Sequence, residues 1–483
     1  MTSLRLQRYM NDKGKTTDVR RTIILLATLL TGIAVASGIA LADTFTCTTS
    51  PCNGTEEADL ITGTDPDPTT AATGNDTING LGGDDQIVAL GGSDSVTGGA
   101  ANDTMNGGMG QDFYRFADSF GADRIEADTS GVDTVDFSGM STAPSTGIVN
   151  GITFDLEGPD SLCEPTSTNC LSLGGSFIEN AVGTDFGDQL TGNASRNQLT
   201  GRAGDDQLNG GAGPDRLLGN NGTDRLNGGA GNDKLNGSPT TLPENLNSFY
   251  DHYLFTPNWG KDTITDSRGR GIIMPVPDGA TALAMPDLTV NLVSDPSRPE
   301  VKDASGNTMN WENNDVKGAS TGAGDDVISQ RPMVSNHMSG GAGSDTYKGF
   351  TFDSFGSDGI GDSGGTADVL DLSIRSLASA RLTTPKATST SNVQGLMIDF
   401  HGGTFMCVEE GCDFVTIGRY FDNTSTDVCA SGPGPGLIEK IKFVEDRRVG
   451  FGQVKRLVIS TDRIDNDRDG LTDESGERCP DPT

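Results

Sequence analysis

The chain has 483 residues, 67 of them glycine, with aromatics at 6% and a formal charge of −34. Glycine at about twice its usual share, with few large apolar side chains, argues against a conventional globular core over most of the length. The charge favours cations over nucleic acid as partners, and the length suggests about three domains.

At the N-terminus, Arg5, Arg8, Lys13, Lys15, Arg20 and Arg21 form a basic segment ahead of an apolar run from Ile23 to about Leu41. Ala40-Leu41-Ala42 fits a small-x-small cleavage site, so residues 1–42 read as a signal peptide and Asp43 as the first mature residue. About twenty apolar residues would also suffice for an uncleaved membrane anchor; Ser37, Gly38 and the Ala-x-Ala ending favour cleavage. Arg20-Arg21 has the pair of a twin-arginine signal without the rest of that pattern. Cleavage removes six basic and two acidic side chains, which takes the charge from −34 to −38 and leaves no membrane span.

The next feature is a period. Asp76, Asp85, Asp94, Asp103 and Asp112 fall on every ninth residue, and two positions after them stand Ile78, Ile87, Val96, Met105 and Tyr114. Glycines precede most of these aspartates, as in Gly107-Gly108-Met109-Gly110-Gln111-Asp112. Such a nonapeptide divides into a turn of about six residues and a strand of about three. Glycines let the turn take positive φ and aim its carbonyls inward. Calcium takes six to eight oxygens, which carboxylates and backbone carbonyls supply together. The lone apolar residue points into a flattened coil, and only stacking of neighbours buries it.

After the first array come short alternating segments, Gly131-Val132-Asp133-Thr134-Val135-Asp136-Phe137-Ser138 and Ile152-Thr153-Phe154-Asp155-Leu156, then Phe177-Ile178-Glu179-Asn180. The period then resumes at Asp188, Asn197, Asp206, Asp215, Asp224 and Asp233, followed two residues on by Leu190, Leu199, Leu208, Leu217, Leu226 and Leu235. Its trailer repeats the earlier order with Tyr253-Leu254-Phe255, Lys261-Asp262-Thr263-Ile264 and Leu288-Thr289-Val290-Asn291-Leu292. A short third array holds Asp326, Asn336 and Asp345, with one extra residue near Arg331-Pro332, before Asp368-Val369-Leu370-Asp371-Leu372. The alternating segments read as strands that continue and cap each roll.

These nonapeptides resemble those of RTX (hemolysin-type) calcium-binding proteins. That resemblance spans roughly residues 55–375, and is most specific in the second array. It implies a parallel β-roll in which two nonapeptides make one coil and calcium lies between turns, held by the repeat aspartates. Carried over by position, the ligands are Asp76, Asp85, Asp94, Asp103, Asp112, Asp188, Asp206, Asp215, Asp224, Asp233, Asp326 and Asp345 with the turn carbonyls. Leu81 and Ala101 stand where the pattern has glycine, and Asn197 offers an amide oxygen without charge.

A further calcium signal closes the chain: Asp465, Asp467, Asp469, Gly470 and Asp473 have the Asp-x-Asp-x-Asp-Gly opening of a calcium loop. An EF-hand would place Glu at the twelfth position, where this chain has Gly476. All eight cysteines lie beyond residue 42, and an even count in an exported chain reads as disulfides. Cys47/Cys52, Cys163/Cys170 and Cys407/Cys412 suit small local loops, leaving Cys429/Cys479 at longer range. His252, His337 and His401 do not sit among them at zinc-ligand spacing.

Gly361-Asp362-Ser363-Gly364-Gly365 copies the nucleophile segment of trypsin-like proteases, but no histidine lies in that family's context and the segment falls at a solenoid turn. No zinc-protease motif, Gly-x-Ser-x-Gly elbow or phosphate-binding loop appears.

The sequence therefore predicts an all-β protein: a parallel β-roll of Gly/Asp-rich nonapeptides in three successive modules, with a small disulfide-bearing β region behind them. The boundaries are 1–42 signal peptide, 43–175 first module, 176–310 second, 311–383 short third, 384–460 unassigned β-rich region and 461–483 acidic calcium-loop-like tail. The predicted function is that of a secreted, extracellular, noncatalytic protein that binds calcium ions and folds with them. Cell-surface or matrix components are candidate partners. Alternatives are a secreted hydrolase with an active site in 384–460, or a cell-surface adhesin. Unscreened, the aspartate arrays belong to the acidic, weakly hydrophobic class that stays disordered. At free calcium about 100 times Kd each independent site adds about 2.7 kcal/mol. Ten such sites outweigh the usual net stability of about 5–15 kcal/mol.

Overall fold

The computed structural model describes most of residues 43–372 and five short strands beyond them, from Arg381–Thr383 to Arg448–Gly450. It does not describe residues 1–42, 66–73, 142–150, 239–249, 293–300, 384–395, 400–413, 418–439, 451–483 and several shorter stretches. The signal peptide, the 361–365 segment, the linker at 430–436 and the 465–473 loop read from the sequence lie outside the described residues. Every regular element among those described is a strand, and most pairings are parallel. No helix among them is long and apolar enough to cross a membrane.

Two compact units are separated, Met1–Gly131 with Thr168–Phe177, and Val132–Ser167 with Ile178–Thr483. The first holds two parallel sheets. One stacks Asp59–Thr62, Gln86–Val88, Thr104–Asn106 and Ala122–Ile125, and the other Thr77–Gly82, Ser95–Ala100 and Phe113–Ala117. Thr77 pairs with Ser95, Ser95 with Phe113, and Gln86 with Thr104, so one coil advances 18 residues, or two nonapeptides. Cys47 and Cys52 form the local disulfide expected of them, and Cys170 is also disulfide-bonded.

The second unit repeats the arrangement. Asn180–Val182, Gln198–Ala203, Arg216–Asn221 and Lys234–Asn236 stack on one side, and Gln189–Thr191, Gln207–Asn209 and Arg225–Asn227 on the other. The capping segments predicted as strands join the same ladders: Arg225–Asn227 pairs in parallel with His252–Phe255, and Lys234–Asn236 with Lys261–Thr265. Farther on, Val327–Ser329, Thr346–Lys348, Val369–Leu372 and Lys440–Phe443 continue in parallel.

The three-residue strands explain the nine-residue period. Their central residue faces inward and its neighbours outward, as side chains alternate along any strand. Ile78, Ile87, Val96, Met105 and Tyr114 in the first unit, and Leu190 to Leu235 in the second, are all buried. Each coil thus adds one large apolar side chain per side to a continuous file, worth roughly 1.5–3 kcal/mol apiece.

Tyrosines end the arrays. In an interior coil the N–H of the first turn glycine donates to a strand carbonyl of the next coil: Gly192 to Asn209 at 2.7 Å and Gly210 to Asn227 at 2.8 Å. At the last repeats a phenolic oxygen takes that role. Gly107 N–H donates to Tyr114 Oη, Gly237 to Tyr253 Oη at 3.0 Å and Gly340 to Tyr347 Oη at 2.7 Å. All three rings are fully buried. Tyr347→Phe keeps the ring and removes the acceptor, so it should cost about 1–3 kcal/mol, read as a lower melting temperature in calcium with an unchanged far-UV spectrum.

Candidate metal centre

The repeat aspartates are buried to a degree rare for charged residues: Asp85, Asp94, Asp103, Asp206 and Asp215 each expose 2% or less of their surface. One contact holds them. The backbone N–H of each ladder residue donates to Oδ1 of the aspartate one coil later. Asp59 donates to Asp85, Asp85 to Asp103 and Asp103 to Asp123, at 2.8–2.9 Å. On the opposite side Asp76 donates to Asp94 and Asp94 to Asp112 at 2.7 and 2.8 Å.

The second unit has the same pair of ladders. One runs Asp188, Asp206, Asp224, Asp251, and the other Asn197, Asp215, Asp233, Asp262, with every step between 2.7 and 3.0 Å. Asp326, Asp345 and Asp368 form a third. The step from Asp326 to Asp345 is 19 residues, which accommodates the extra residue read near Arg331-Pro332.

That bond uses one carboxylate oxygen. In Asp85, Asp94, Asp103, Asp123, Asp206 and Asp215 the other, Oδ2, is buried with no hydrogen-bond donor. At Asp85, Asp103, Asp206 and Asp215 it points into a space left open because the residue five positions earlier is glycine. A Cβ placed on Gly210 would stand 2.5 Å from Asp215 Oδ2 and 2.6 Å from the Gly228 carbonyl oxygen. The same pairing of carboxylate and next-coil carbonyl recurs beside Gly80, with Asp85 and Gly98. The donors converging there are all oxygen, carboxylate and carbonyl, which is the set a hard cation takes.

The family model of the RTX calcium-binding nonapeptide repeat matches four segments, residues 70–96, 80–114, 182–217 and 218–239. These segments are RTX calcium-binding repeats. RTX nonapeptides bind Ca²⁺, and the buried all-oxygen lining of the ladders fits that ion. No curated protein matches the chain.

Of the aspartates predicted as ligands, those from Asp76 to Asp112, from Asp188 to Asp233, and Asp326 with Asp345 all stand in the carboxylate ladders. Asp465, Asp467, Asp469 and Asp473 lie outside the described residues. Asn197 also stands in a ladder, but its amide oxygen accepts the Asn193 N–H at 2.8 Å. Leu81 and Ala101 hold the glycine conformation of their turns, with φ of 81° and 88°.

Five ladder positions were missed by counting nines: Asp59, Asp123, Asp251, Asp262 and Asp368. Each lies off the period because an insertion precedes or follows it. Each still carries the shorter signal, an apolar residue two positions on: Ile61, Ile125, Tyr253, Ile264 and Leu370, all buried.

The electrostatics follow from the stacking. For the polypeptide by itself, burial pushes the Asp85, Asp94 and Asp103 carboxyls up to about 7 and Asp206 up to about 9. The ladder N–H pulls the other way in each case, and neighbouring aspartates push up again, Asp224 and Asp188 in the case of Asp206. Folded carboxyls raised above their unfolded value of 3.8 favour the fold below that value and withdraw support as pH climbs through 7 to 9. In EDTA the far-UV β signal should therefore fade as pH is raised from about 5.5 to about 9. In millimolar calcium it should hold across that range. A β signal in EDTA that strengthens with pH would contradict the assignment.

Proposed function

We propose that this chain is a secreted, noncatalytic calcium-binding protein whose arrays fold when they meet extracellular calcium. The observation that carries the reading is the file of buried carboxylate oxygens, each stacked on the next and lacking a donor of its own in Asp85, Asp94, Asp103, Asp206 and Asp215. Two carboxylates in such a file cannot both ionise in a dry setting unless a cation sits with them. Calcium binding to the ladder is then folding free energy.

The surroundings support export. The basic and apolar N-terminal segment has the form of a secretory signal, and the Cys47–Cys52 bridge suits an oxidising compartment. Extracellular calcium modules work near 10⁻⁴ to 10⁻³ M, roughly the concentration outside cells. In this reading the arrays stay unfolded before export and harden afterwards. The residues that hold the ion are the ladder aspartates whose Oδ2 lacks a donor, such as Asp85, Asp94, Asp103, Asp206 and Asp215, with the turn carbonyls of the following coil. The three-module division at 43–175, 176–310 and 311–383 belongs to the same proposal, as does a second cation loop at Asp465, Asp467, Asp469 and Asp473.

Circular dichroism of the full chain, titrated from EDTA into millimolar calcium with magnesium as the control, tests the proposal. A cooperative gain of β signal that calcium gives and magnesium does not is the expected result. No response, or an equal response to magnesium, would sink it.

A further inference from the structure

The ladder carboxylates are of two kinds, and the conformation of the residue four before the aspartate separates them. In most coils that residue, four before the aspartate, has positive φ: Leu81 at 81° before Asp85, Leu90 at 75° before Asp94, Ser119 at 65° before Asp123 and Arg202 at 89° before Asp206. Asn220 before Asp224 is another, at 74°. Five of the six non-glycine residues with positive φ among those described occupy this one position. Side chains of that kind are held left-handed only where the surroundings impose it, and such strain gathers at functional sites. Where Oδ2 is donor-free and buried, at Asp85, Asp94, Asp103, Asp123, Asp206 and Asp215, the turn has this form.

Four coils differ. After Gly54, Gly63, Gly183 and Gly192 stand Thr55, Thr64, Thr184 and Asn193, none with positive φ. Their N–H turns onto the ladder side chain instead. Thr55 N–H and Oγ1 both donate to Asp59 Oδ2, at 2.7 and 2.9 Å. Thr64 does the same to Asp76 Oδ2, at 2.6 and 3.0 Å. Thr184 N–H donates to Asp188 Oδ2 at 2.7 Å, while its Oγ1 and the Ile152 N–H reach Oδ1 at 2.9 and 2.8 Å. Asn193 N–H donates to Asn197 Oδ1. Donors already fill the carboxylate oxygens a cation would need, and at Asn197 the charge itself is gone.

The positions of these coils add a second regularity. Asp59 and Asp76 open the two ladders of the first unit, and Asp188 and Asn197 open the two repeat ladders of the second array. We infer that the first coil of each of the first two arrays is closed by its own Thr or Asn clasp without calcium, and that calcium enters only the left-handed coils, among them that of Asp326, which opens the third array with Gly322 at φ 96°. Asp76 and Asp188 are then structural clasps despite matching the repeat, whereas Asp123, outside the matched segments, is a calcium ligand. The clasped coil gives calcium-loaded coils a formed edge to stack on. This inference rests on the calcium reading above.

Calcium bound per chain, measured by equilibrium dialysis on the full chain, separates the two classes. Asp188→Asn copies what Asn197 already is and should leave the calcium count unchanged. Asp206→Asn should lower it by at least one. An equal loss in both variants overturns the clasp while leaving calcium binding standing, and a wild-type chain that binds no calcium overturns both. Hydrogen exchange of the wild-type chain in EDTA covers the case in which Asp188→Asn does not fold. The Thr55 and Thr184 amides should exchange at least tenfold more slowly than those of Asp206 and Asp215. Uniform exchange across these four amides would overturn the clasp.

Discussion

Everything in these arrays depends on one hydrogen bond repeated down the stack, from the backbone N–H of a ladder residue to the carboxylate of the aspartate one coil on. It fixes the height of each coil, since its length stays between 2.7 and 3.0 Å from Asp76–Asp94 to Asp345–Asp368. It also forces a conflict. The bond draws every carboxylate into the turn and stacks it against others of its kind, where burial opposes ionisation. A proton or a cation must settle the conflict, and a divalent cation does so while satisfying several oxygens together. A chain so short of aromatic and large apolar side chains gains little from its interior. One Leu, Ile or Val per half-coil makes a thin file, so each coil depends on its neighbours for its stability.

The glycines and the strained residues serve the same constraint. Glycine five before the aspartate leaves room for the carboxylate oxygen and the carbonyl of the following coil, as beside Gly210. The next residue turns its N–H away only in the left-handed conformation, which Leu81, Leu90 and Arg202 adopt at a cost of roughly 1–2 kcal/mol each relative to an unstrained backbone. A polypeptide optimised for stability without metal would place glycine or a clasping threonine there. The surviving strain therefore marks coils where something besides the chain contributes to the balance.

Much of this was legible in the residues. The period of nine, with its apolar partner two places on, revealed the parallel stack and its buried file, because both follow from strand alternation and need no tertiary information. Counting nines failed at Asp59, Asp123, Asp251, Asp262 and Asp368. There the chain makes an excursion between coils, and the pair Asp-x-apolar persists without the period. Leu81 and Ala101 looked like defects because the sequence reports a missing glycine, not the φ that the fold still imposes. The clasps were illegible for a related reason. Thr184 differs from Arg202 by its own backbone conformation, and composition carries no record of which residues turn their N–H toward the carboxylate.

The excursions show which quantity the fold holds constant. Successive ladder residues stand 18 apart in regular coils, but 20 from Asp103 to Asp123, 23 from Asp345 to Asp368, 27 from Asp224 to Asp251 and 29 from Asp233 to Asp262. The bond is the same in every case, and so is the burial of the apolar residue two positions on. Lengthening a loop whose ends are already fixed adds little entropy cost, about 0.6 kcal/mol for each doubling. The stack can therefore absorb insertions at its turns while keeping aspartate on aspartate. Sequence period is a by-product of short turns. The carboxylate ladder is the structural invariant, and it extends through capping strands that a nonapeptide pattern alone does not reach.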